Sequence, residues 1–238
     1  MQEMMIVTSK PGVEVTYMGT LSEGSFISHA NLVADLAPAT VLSKEASFKY
    51  FVYFKDGKTI IVPSHPIGRD NYQAIYLKGA VFGSDSEGIV PQGAAATIQD
   101  RKITIGQDTY RVRLMGGVPN DVYGSQATIS VPDFTPVQEY DYFVPNMWVL
   151  TDQIKAVINF QDLSVPDAVK VTKPNYTGST RSGALVKGNL ATRAFIRGRF
   201  DTTYPDTATY PFKFVQFDNT YLQTTVNNGI WWPVFEKL

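Results

Sequence analysis

The sequence contains no cysteine, so disulfide bonds and thiolate metal sites are excluded. It has only two histidines, His29 and His65. A Ser-His-Asp triad would need one of them as its base, and the sequence has no Gly-x-Ser-x-Gly elbow. The His-Glu-x-x-His spacing of zinc hydrolases is also missing. These absences predict a protein that is not an enzyme and that holds no metal or cofactor.

Long apolar runs and strong charge asymmetry are absent too. No stretch reaches the roughly 18 apolar residues of a membrane-spanning helix, so we expect no membrane span. Residues 1–7 lack the charged and apolar regions of a signal peptide. The net charge is −1 and the basic residues are scattered, which predicts no binding to nucleic acid.

Aromatic side chains, by contrast, are abundant. They make up 13% of the 238 residues, while charged residues make up 18%, below the usual share of about 25%. This length fits one large domain, and we expect a single domain over 1–238. Loop-forming residues predict long surface loops near 115–136, 172–190 and 201–211. A surface poor in charge and rich in aromatic rings favours a subunit that contacts others.

The segment 229–238 is a dense apolar run that holds two of the three tryptophans. Because a free terminus is normally frayed and polar, this tail is predicted to be docked as a last strand. Docking within the chain and docking onto a neighbouring subunit both fit the sequence. The candidate residues for an interface between subunits are Trp231, Trp232, Phe235, Phe51 and Tyr53.

A β-hairpin is the clearest local prediction. Residues 48–55 and 58–62 are strand-forming runs separated by Asp56-Gly57, a pair typical of type I′ two-residue turns. Both faces of the first run are apolar, so this strand is predicted to be covered on both sides. The turn also sets the register, in which the predicted pairs are Phe54 with Thr59, Tyr53 with Ile60 and Val52 with Ile61.

Two short helices are predicted. Apolar residues in 26–36 recur at roughly helical spacing, and Pro38 would end that helix. The second helix covers 69–78, with Asp70 as its N-cap and Gln73 in the capping-box position. Gly79 then fits the C′ position, where a left-handed backbone is common.

The remaining signals are mostly those of strands. Strands are predicted at 13–17, 102–105, 110–114, 127–131, 156–160 and 194–200. In 110–114, alternation places Arg111 and Arg113 outward. Segment 140–150 is apolar but broken by Pro145, and fits a helix or a strand. The sequence therefore predicts a strand-rich α+β fold, mainly antiparallel sheets with one or two short helices, with a β-sandwich as the alternative.

Two polar stretches admit two interpretations each. Asp85 and Glu87 lie in the glycine-flanked stretch 83–88, which fits a solvated turn better than a calcium loop, because the staggered acidic positions are lacking. Arg197-Gly198-Arg199 fits a strand with outward arginines at an interface better than a phosphate site.

Four stretches resemble a group of tailed-bacteriophage virion structural proteins found around the tail and its appendages. They are 48–62 with its Lys-Asp-Gly-Lys turn, 70–83, the Arg-Leu strand at 103–114, and 229–236. Members of that group often end in Gly-Trp-Arg-Pro-Val-Leu-Glu, and Trp232 stands here in place of the arginine. The order of the pieces is also similar to C-type-lectin-like folds, whose last strand lies beside their own N-terminal strands.

The resemblance implies a non-enzymatic structural subunit of a bacteriophage virion, in or near the tail, made in the host cytoplasm. Its implied partners are copies of itself and other virion tail proteins. The alternative is a module that binds a host surface receptor or glycan through tyrosine-rich loops. A hydrolase acting on the host envelope is a third hypothesis. The candidate glycan contacts are Tyr176, Tyr204, Tyr210 and Tyr221, because aromatic rings stack on sugars.

Overall fold

The computed structural model describes residues 5–8, 14–44, 48–117, 128–129, 139–140, 143, 184–188, 191–192, 194–197, 215–218 and 229–238. Within these ranges the strands are β1 Met5–Thr8, β2 Glu14–Leu21, β3 Thr40–Val41, β4 Tyr50–Lys55, β5 Lys58–Pro63, β6 Gly68–Asp70, β7 Lys102–Ile105, β8 Asp108–Leu114, β9 Thr128–Ile129, β10 Ala184–Val186, β11 Ala194–Arg197, β12 Val215–Asp218, β13 Gly229–Trp231 and β14 Pro233–Lys237. The helices are α1, His29–Leu36, and α2, Tyr72–Leu77, with a 3₁₀ turn at Glu23–Ser25.

The strands form two seven-stranded sheets. The first sheet has the order β1-β2-β4-β5-β14-β8-β7, and all of its neighbouring strands are antiparallel. The second sheet has the order β3-β6-β13-β10-β11-β12-β9, and only β10 and β13 are parallel. Antiparallel sheets with short helices confirm the predicted strand-rich α+β class. None of the helices in the described ranges is long and apolar enough to cross a bilayer.

The predicted hairpin is present in the predicted register. Phe54 pairs with Thr59, Tyr53 with Ile60 and Val52 with Ile61. Asp56 and Gly57 both have positive φ, at 51° and 78°, as a type I′ turn requires. The turn's own twist matches that of the two strands, which is why the local sequence is enough to set the register.

Strand β4 is covered on both faces, as its apolar pattern predicts. Tyr50 is fully buried and meets the rings of Phe26 and Phe235 edge-on. Phe51, on the opposite face, is also fully buried and lies beside Tyr17. Both faces of β4 are therefore shielded from water, and apolar side chains on each face are buried.

The C-terminal tail passes through both sheets. Ile230 of β13 pairs with Arg69 of β6 in the second sheet. Phe235 of β14 pairs with Ile61 of β5 on one side and with Val112 of β8 on the other. The prediction that the tail is docked as a last strand is therefore confirmed, and docking is within the chain. The strand lies between β5 and β8 and not beside β1 and β2.

Helix α1 follows Ser28, whose Oγ accepts a hydrogen bond from the Asn31 amide at 3.2 Å. Helix α2 corrects one prediction, because its N-cap is Asn71 and not Asp70. The Asn71 side chain accepts from the Ala74 amide at 2.8 Å. Gly79 follows the helix with φ 72°, which confirms the predicted left-handed exit.

The buried carboxylate of Asp70 does not cap α2 but connects separate segments of the chain. Its Oδ2 binds Lys78 Nζ at 2.7 Å and accepts from the Ala39 amide at 3.3 Å. Its Oδ1 accepts from the Asn71 amide at 2.9 Å. Lys78 also lies over the Trp231 ring, 5.0 Å from its centroid. Asp70 thus ties the α1–β3 connection to α2 and to the C-terminal tail.

The predicted strands at 102–105 and 110–114 are confirmed by β7 and β8. Arg113, which alternation predicts to point outward from β8, is nevertheless buried, at 4% exposed. The predicted loop over 172–190 is interrupted by β10, and that over 115–136 by β9. Segments 156–160 and 201–211, and most of 140–150, lie outside the described residues.

A single hydrophobic cluster joins residues of both sheets and both helices. The first sheet contributes Tyr50, Ile61, Tyr110, Val112, Leu114 and Phe235, and the second contributes Leu185, Ala194, Ile196 and Trp231. Leu32 and Leu36 of α1 and Tyr72, Ile75 and Tyr76 of α2 complete its centre. The opposite face of the first sheet is where charged side chains gather.

Candidate functional site

Six charged side chains gather where the first sheet meets the second. We call them the charged cluster: Lys55, Lys58, Arg113, Glu139, Lys187 and Glu236. The end of β8 and the end of β10 come together here, because Gly116 and Lys187 form a parallel bridge and the Lys187 amide donates to the Met115 carbonyl at 2.8 Å. The cluster therefore brings together residues that are far apart in the sequence.

Arg113 lies at the centre of the charged cluster. Its Nη1 and Nη2 donate to the two carboxylate oxygens of Glu139 at 2.6 and 2.8 Å. Its Nε donates to Glu236 Oε2 at 3.1 Å. The Gly116 amide also donates to Glu139 Oε2 at 2.8 Å. A bidentate, charge-assisted pair of this kind fixes orientation as well as supplying energy.

The lysines lie around this central group. Lys58 pairs with Glu236, and Lys55 Nζ lies 3.7 Å from Glu139 Oε1. Lys55 also pairs with Asp56 in the exposed turn. Lys187 interacts electrostatically with Arg113 and with both glutamates. The three lysines come from different elements, which only the tertiary fold brings together.

The surroundings shift every pKa at the centre of the charged cluster. Burial by itself would raise the pKa of Glu139, but Arg113 and Lys187, with the hydrogen bonds to Arg113 and Gly116, lower it to about 2. Burial likewise opposes ionisation of Glu236, while Lys58 and Arg113 lower its pKa. Burial disfavours the charge of Arg113, but the two glutamates raise its pKa.

The pKa of Lys187 is shifted so that its charged form is disfavoured, whereas the pKa shifts of Arg113, Glu139 and Glu236 favour their charged forms. Burial first, and then the charge of Arg113, lower its pKa to about 8, although Glu139 and Glu236 oppose the shift. Groups with shifted pKa values often mark functional sites, but structural ion pairs shift them too. The two glutamates are held ionised well below neutral pH, so neither is poised to act as a general acid near pH 7.

A second buried arginine links the same region to β11. Arg197, predicted to point outward at an interface, is fully buried. Its guanidinium lies over the Tyr140 ring, 4.7 Å from the centroid, and its Nη1 donates to the Gly117 carbonyl. The Tyr140 amide in turn donates to the Gly116 carbonyl at 2.9 Å. Arg197 therefore stabilises the junction of the sheets and is not available to a partner.

The rings of both histidines lie near the Phe48 ring. The His29 ring meets the Phe48 ring edge-on at 5.0 Å, and the His65 ring stacks against it at 6.5 Å. His65 Nδ1 and Ser64 Oγ are 2.9 Å apart, a contact between sequence neighbours in a turn. Burial lowers the pKa of His29, against the effect of Glu23. Within the described residues no three His, Asp or Glu side chains are placed to hold a metal ion.

The candidate interface residues are corrected by the fold. Trp231, Trp232, Phe235, Phe51 and Tyr53 are each at most 1% exposed in the single chain. Phe51 and Tyr53 pack with Tyr17, and Tyr53 also packs with Phe143 at 4.7 Å. Because these side chains belong to the chain's own core, they are not available to a second subunit.

The candidate glycan contacts Tyr176, Tyr204, Tyr210 and Tyr221 lie outside the described residues, so they stay a prediction. The stretch 83–88 is described, and there Asp85 pairs with Arg111 at 2.6 Å while Glu87 is exposed. Arg111 also binds Asp100 at 2.6 Å through its Nε. Asp85 thus takes part in an ion-pair network that connects this loop to β8.

The charged cluster is not evident from the sequence. Strand alternation predicts that Arg113 points outward, but it does not reveal whether other side chains cover that side of the sheet. Glu236 offered the better signal, since it is the one charged residue within the apolar stretch 229–236. Nothing local marks Glu139 or Lys187, because their partners lie in distant segments.

Comparison with protein-family models, with curated proteins and with solved structures gave no significant match for this chain.

Proposed function

We propose that this chain is a non-enzymatic structural subunit of a bacteriophage virion, in or near the tail, that assembles with copies of itself and with other tail proteins. The observation that carries the proposal is the arrangement of the stretches that resemble virion proteins. The stretches 48–62, 103–114 and 229–236 supply β4, β5, β14, β8 and β7, which are five consecutive strands of the first sheet. The fourth stretch supplies α2, which packs on the same core.

The buried polar groups also support a structural role. Asp70 and Lys78 join α2 to the tail, and Arg113 joins β8 to Glu139 and Glu236. These side chains are occupied by contacts within the chain. They favour a rigid building block over a site prepared for chemistry.

Assembly contacts have to come from side chains that the fold leaves exposed. Met18 is 49% exposed at a bulge in β2, and Phe54 is 44% exposed near the end of β4. Phe54 pairs with Thr16 of β2, so these two apolar side chains lie on neighbouring strands. We call Met18 and Phe54 the assembly surface. Burying such side chains against a second copy would supply the apolar contact that the tail does not offer.

The oligomeric state tests this proposal. Light scattering after size exclusion should give a defined oligomer for the wild-type chain at high concentration. The double variant Met18→Ser/Phe54→Ser should give a smaller mass with unchanged circular dichroism. The matched control is Leu77→Ser, which removes a similarly exposed apolar side chain on α2 and should leave the oligomer intact.

A wild-type chain that stays monomeric and shows no affinity for other virion proteins would contradict the structural proposal. If the double variant forms the same oligomer as the wild type, the assembly surface does not hold the subunits together. That result would not contradict the structural proposal itself. The receptor- or glycan-binding alternative is tested on the same preparation with a glycan array. Binding that is lost in Tyr204→Ala and Tyr210→Ala would favour that alternative.

A further inference from the structure

Helix α1 has a histidine at a position where the helical pattern calls for a buried apolar side chain. Its buried residues are His29, Leu32 and Leu36, and their spacing of i, i+3 and i+7 places them on one face. Leu32 and Leu36 belong to the hydrophobic cluster. His29 is 7% exposed, and its ring meets the Phe48 ring edge-on at 5.0 Å. The first turn of α1 therefore packs on the core through an imidazole.

The surroundings of this imidazole suit a neutral ring and not a charged one. Its Nε2 is buried and, within the described ranges, has no hydrogen-bond partner, so an N–H at this atom has no acceptor. His29 is also the first residue of α1, where the helix dipole places about half a unit of positive charge. A protonated ring would bring a second positive charge into this buried site, which costs free energy.

The charged and titratable groups around His29 come from several elements. They are Glu23 of the 3₁₀ turn, Lys44 after β3, Tyr50 of β4 and His65 after β5. Glu23 accepts the His29 backbone amide at 2.6 Å and pairs with Lys44, while Tyr50 and His65 both contact the Phe48 ring. Burial lowers the pKa of His29 below the ordinary 6.5, Glu23 opposes this shift, and Lys44 adds to it.

The two ends of α1 are held by different kinds of contact. At the C-terminal end, Arg101 Nη2 donates to the Asp35 carbonyl at 3.0 Å and to its carboxylate at 3.1 Å. Lys78 Nζ donates to the Ala37 carbonyl at 2.7 Å. These cations hold the C-terminal end whether or not His29 carries a proton. A charge on His29 would therefore loosen the N-terminal end of the helix first.

We propose that α1 is an acid-sensitive switch, in which proton uptake by His29 releases the N-terminal end of the helix from Phe48 while the C-terminal end stays attached. An imidazole in the open state is hydrated and binds a proton more readily than the buried ring. The closed state is therefore fully favoured above pH 6.5 and is progressively disfavoured below it. Opening exposes Phe48 and the buried face of α1. The switch is independent of the virion proposal, because it rests on the surroundings of His29 alone.

Hydrogen exchange of the intact wild-type chain between pH 7 and pH 5 tests the switch. One proton taken up on opening raises the opening equilibrium by about tenfold for each pH unit below 6.5, or about twentyfold over this range, if the closed form stays unprotonated. Protection factors corrected for intrinsic exchange should fall toward that limit for the Leu32 and Ala37 amides, which bond within α1.

Helix α2 is the internal control for this measurement. It contains no histidine and is also capped by a side chain, that of Asn71. Protection of its Ile75 and Lys78 amides, which bond within α2, should stay constant over the same pH range. Constant protection in α1, or an equal fall in both helices, overturns the proposal.

The proton itself can be followed by NMR, because the sequence contains only two histidines. The spectrum of His65→Phe assigns the remaining imidazole signals to His29. These signals should titrate below pH 6.5 in the closed state, and they should change together with the loss of protection in α1. A His29 ring that titrates at pH 6.5 or above, while α1 stays protected, overturns the proposal.

Two matched variants identify the responsible group. His29→Phe keeps an aromatic ring beside Phe48 and removes the titration, so protection of α1 should become independent of pH between 7 and 5. His65→Phe makes the same change at the other histidine and should keep the wild-type dependence. A dependence that persists in His29→Phe overturns the proposal. If His29→Phe does not fold, hydrogen exchange and the NMR titration of the folded chain decide.

Discussion

Trp231 and Trp232 are adjacent in sequence but are held by different elements. The Trp232 indole N–H donates to the Pro63 carbonyl at the end of β5, at 2.7 Å. Trp231 is the last residue of β13, and its ring lies under the Lys78 ammonium. The two side chains thus fix the point at which the tail leaves the second sheet and enters the first.

Replacing each tryptophan by phenylalanine separates these contributions. Both changes remove a similar volume from a buried site. The Trp231 indole N–H has no hydrogen-bond partner in the described part of the chain, whereas Trp232→Phe leaves the Pro63 carbonyl without its donor. Trp232→Phe should therefore destabilise the protein by about 1–2 kcal/mol more than Trp231→Phe. Urea denaturation of both variants measures this difference, and equal losses would contradict it.

Stability at acid pH should depend on Glu139. Its pKa in the folded protein is about 2, below the ordinary value of 4.5. Ionised Glu139 therefore stabilises the fold fully above about pH 4.5, and this contribution is lost as the pH falls toward 2. The shift corresponds to about 3 kcal/mol. Between pH 5 and 2, Glu139→Gln should show a flatter decline in the free energy of unfolding than the wild type.

The matched control is Glu87→Gln, which removes an exposed carboxylate that forms no ion pair within the described ranges. This variant should keep the wild-type slope. At pH 7, Glu139→Gln should also lose about 3–5 kcal/mol, because Arg113 is left buried with one carboxylate instead of two. A loss below 1 kcal/mol would mean that the pair with Arg113 contributes little.

Lys187 should show the opposite dependence on pH. Its folded-state pKa of about 8 lies below the ordinary 10.5, so the charged ammonium costs stability in the folded state. That cost is full below pH 8 and disappears as the pH rises to about 10.5. Lys187→Met should be more stable than the wild type by about 1–3 kcal/mol at pH 7.

The gain of Lys187→Met should vanish well above pH 10.5, where the wild-type side chain is neutral in both the folded and the unfolded state. The groups that face Lys187 are Arg113, Glu139, Glu236 and Lys55, and none of these is altered by the substitution. Lys102→Met is the control for removal of a surface charge. A gain that persists unchanged at high pH would show that added apolar contact, and not relief of charge, is its cause.

The hairpin turn provides a test of local geometry. Gly57 has φ 78°, a conformation in which a side chain costs about 1–2 kcal/mol. Gly57→Ala should lower the free energy of unfolding by that amount, although no atom lies within 4 Å of the added Cβ. Gly24→Ala is the control, because its backbone is outside the left-handed region and its Cβ would meet only Ser22 Oγ at 3.9 Å.

Gly24→Ala should change the stability by less than about 0.5 kcal/mol. Equal effects of the two substitutions would mean that backbone strain in the turn is not the cause. Thermal and urea denaturation of both variants give the comparison directly.

Predictions that rest on neighbouring residues were the most accurate. The register around Asp56-Gly57 follows from a two-residue turn, and β7 and β8 follow from alternation over a few positions. The error at α2 is also local: Asp70 and Asn71 are both good N-cap residues. In the structure the Asp70 carboxylate binds Lys78, and the Asn71 side chain caps the helix.

Predictions about exposure were less accurate, because exposure depends on what covers each face. Alternation placed Arg113 outward correctly relative to β8, but Glu139 and Glu236 cover that face. Aromatic composition suggested that Trp231 and Trp232 could serve an interface, and the fold uses them internally. The virion assignment and the glycan-binding tyrosines stay predictions.

The sequence by itself determined the hairpin and its register, the strand-rich α+β class and the docked C-terminal tail, since each depends on turn chemistry or apolar pattern within a few residues. The tertiary structure alone decided that β14 lies between β5 and β8, and that Arg113, Glu139 and Lys187 meet. The physical reason is that a buried charge is stable only beside its partners, and those partners are supplied by segments that no local pattern connects.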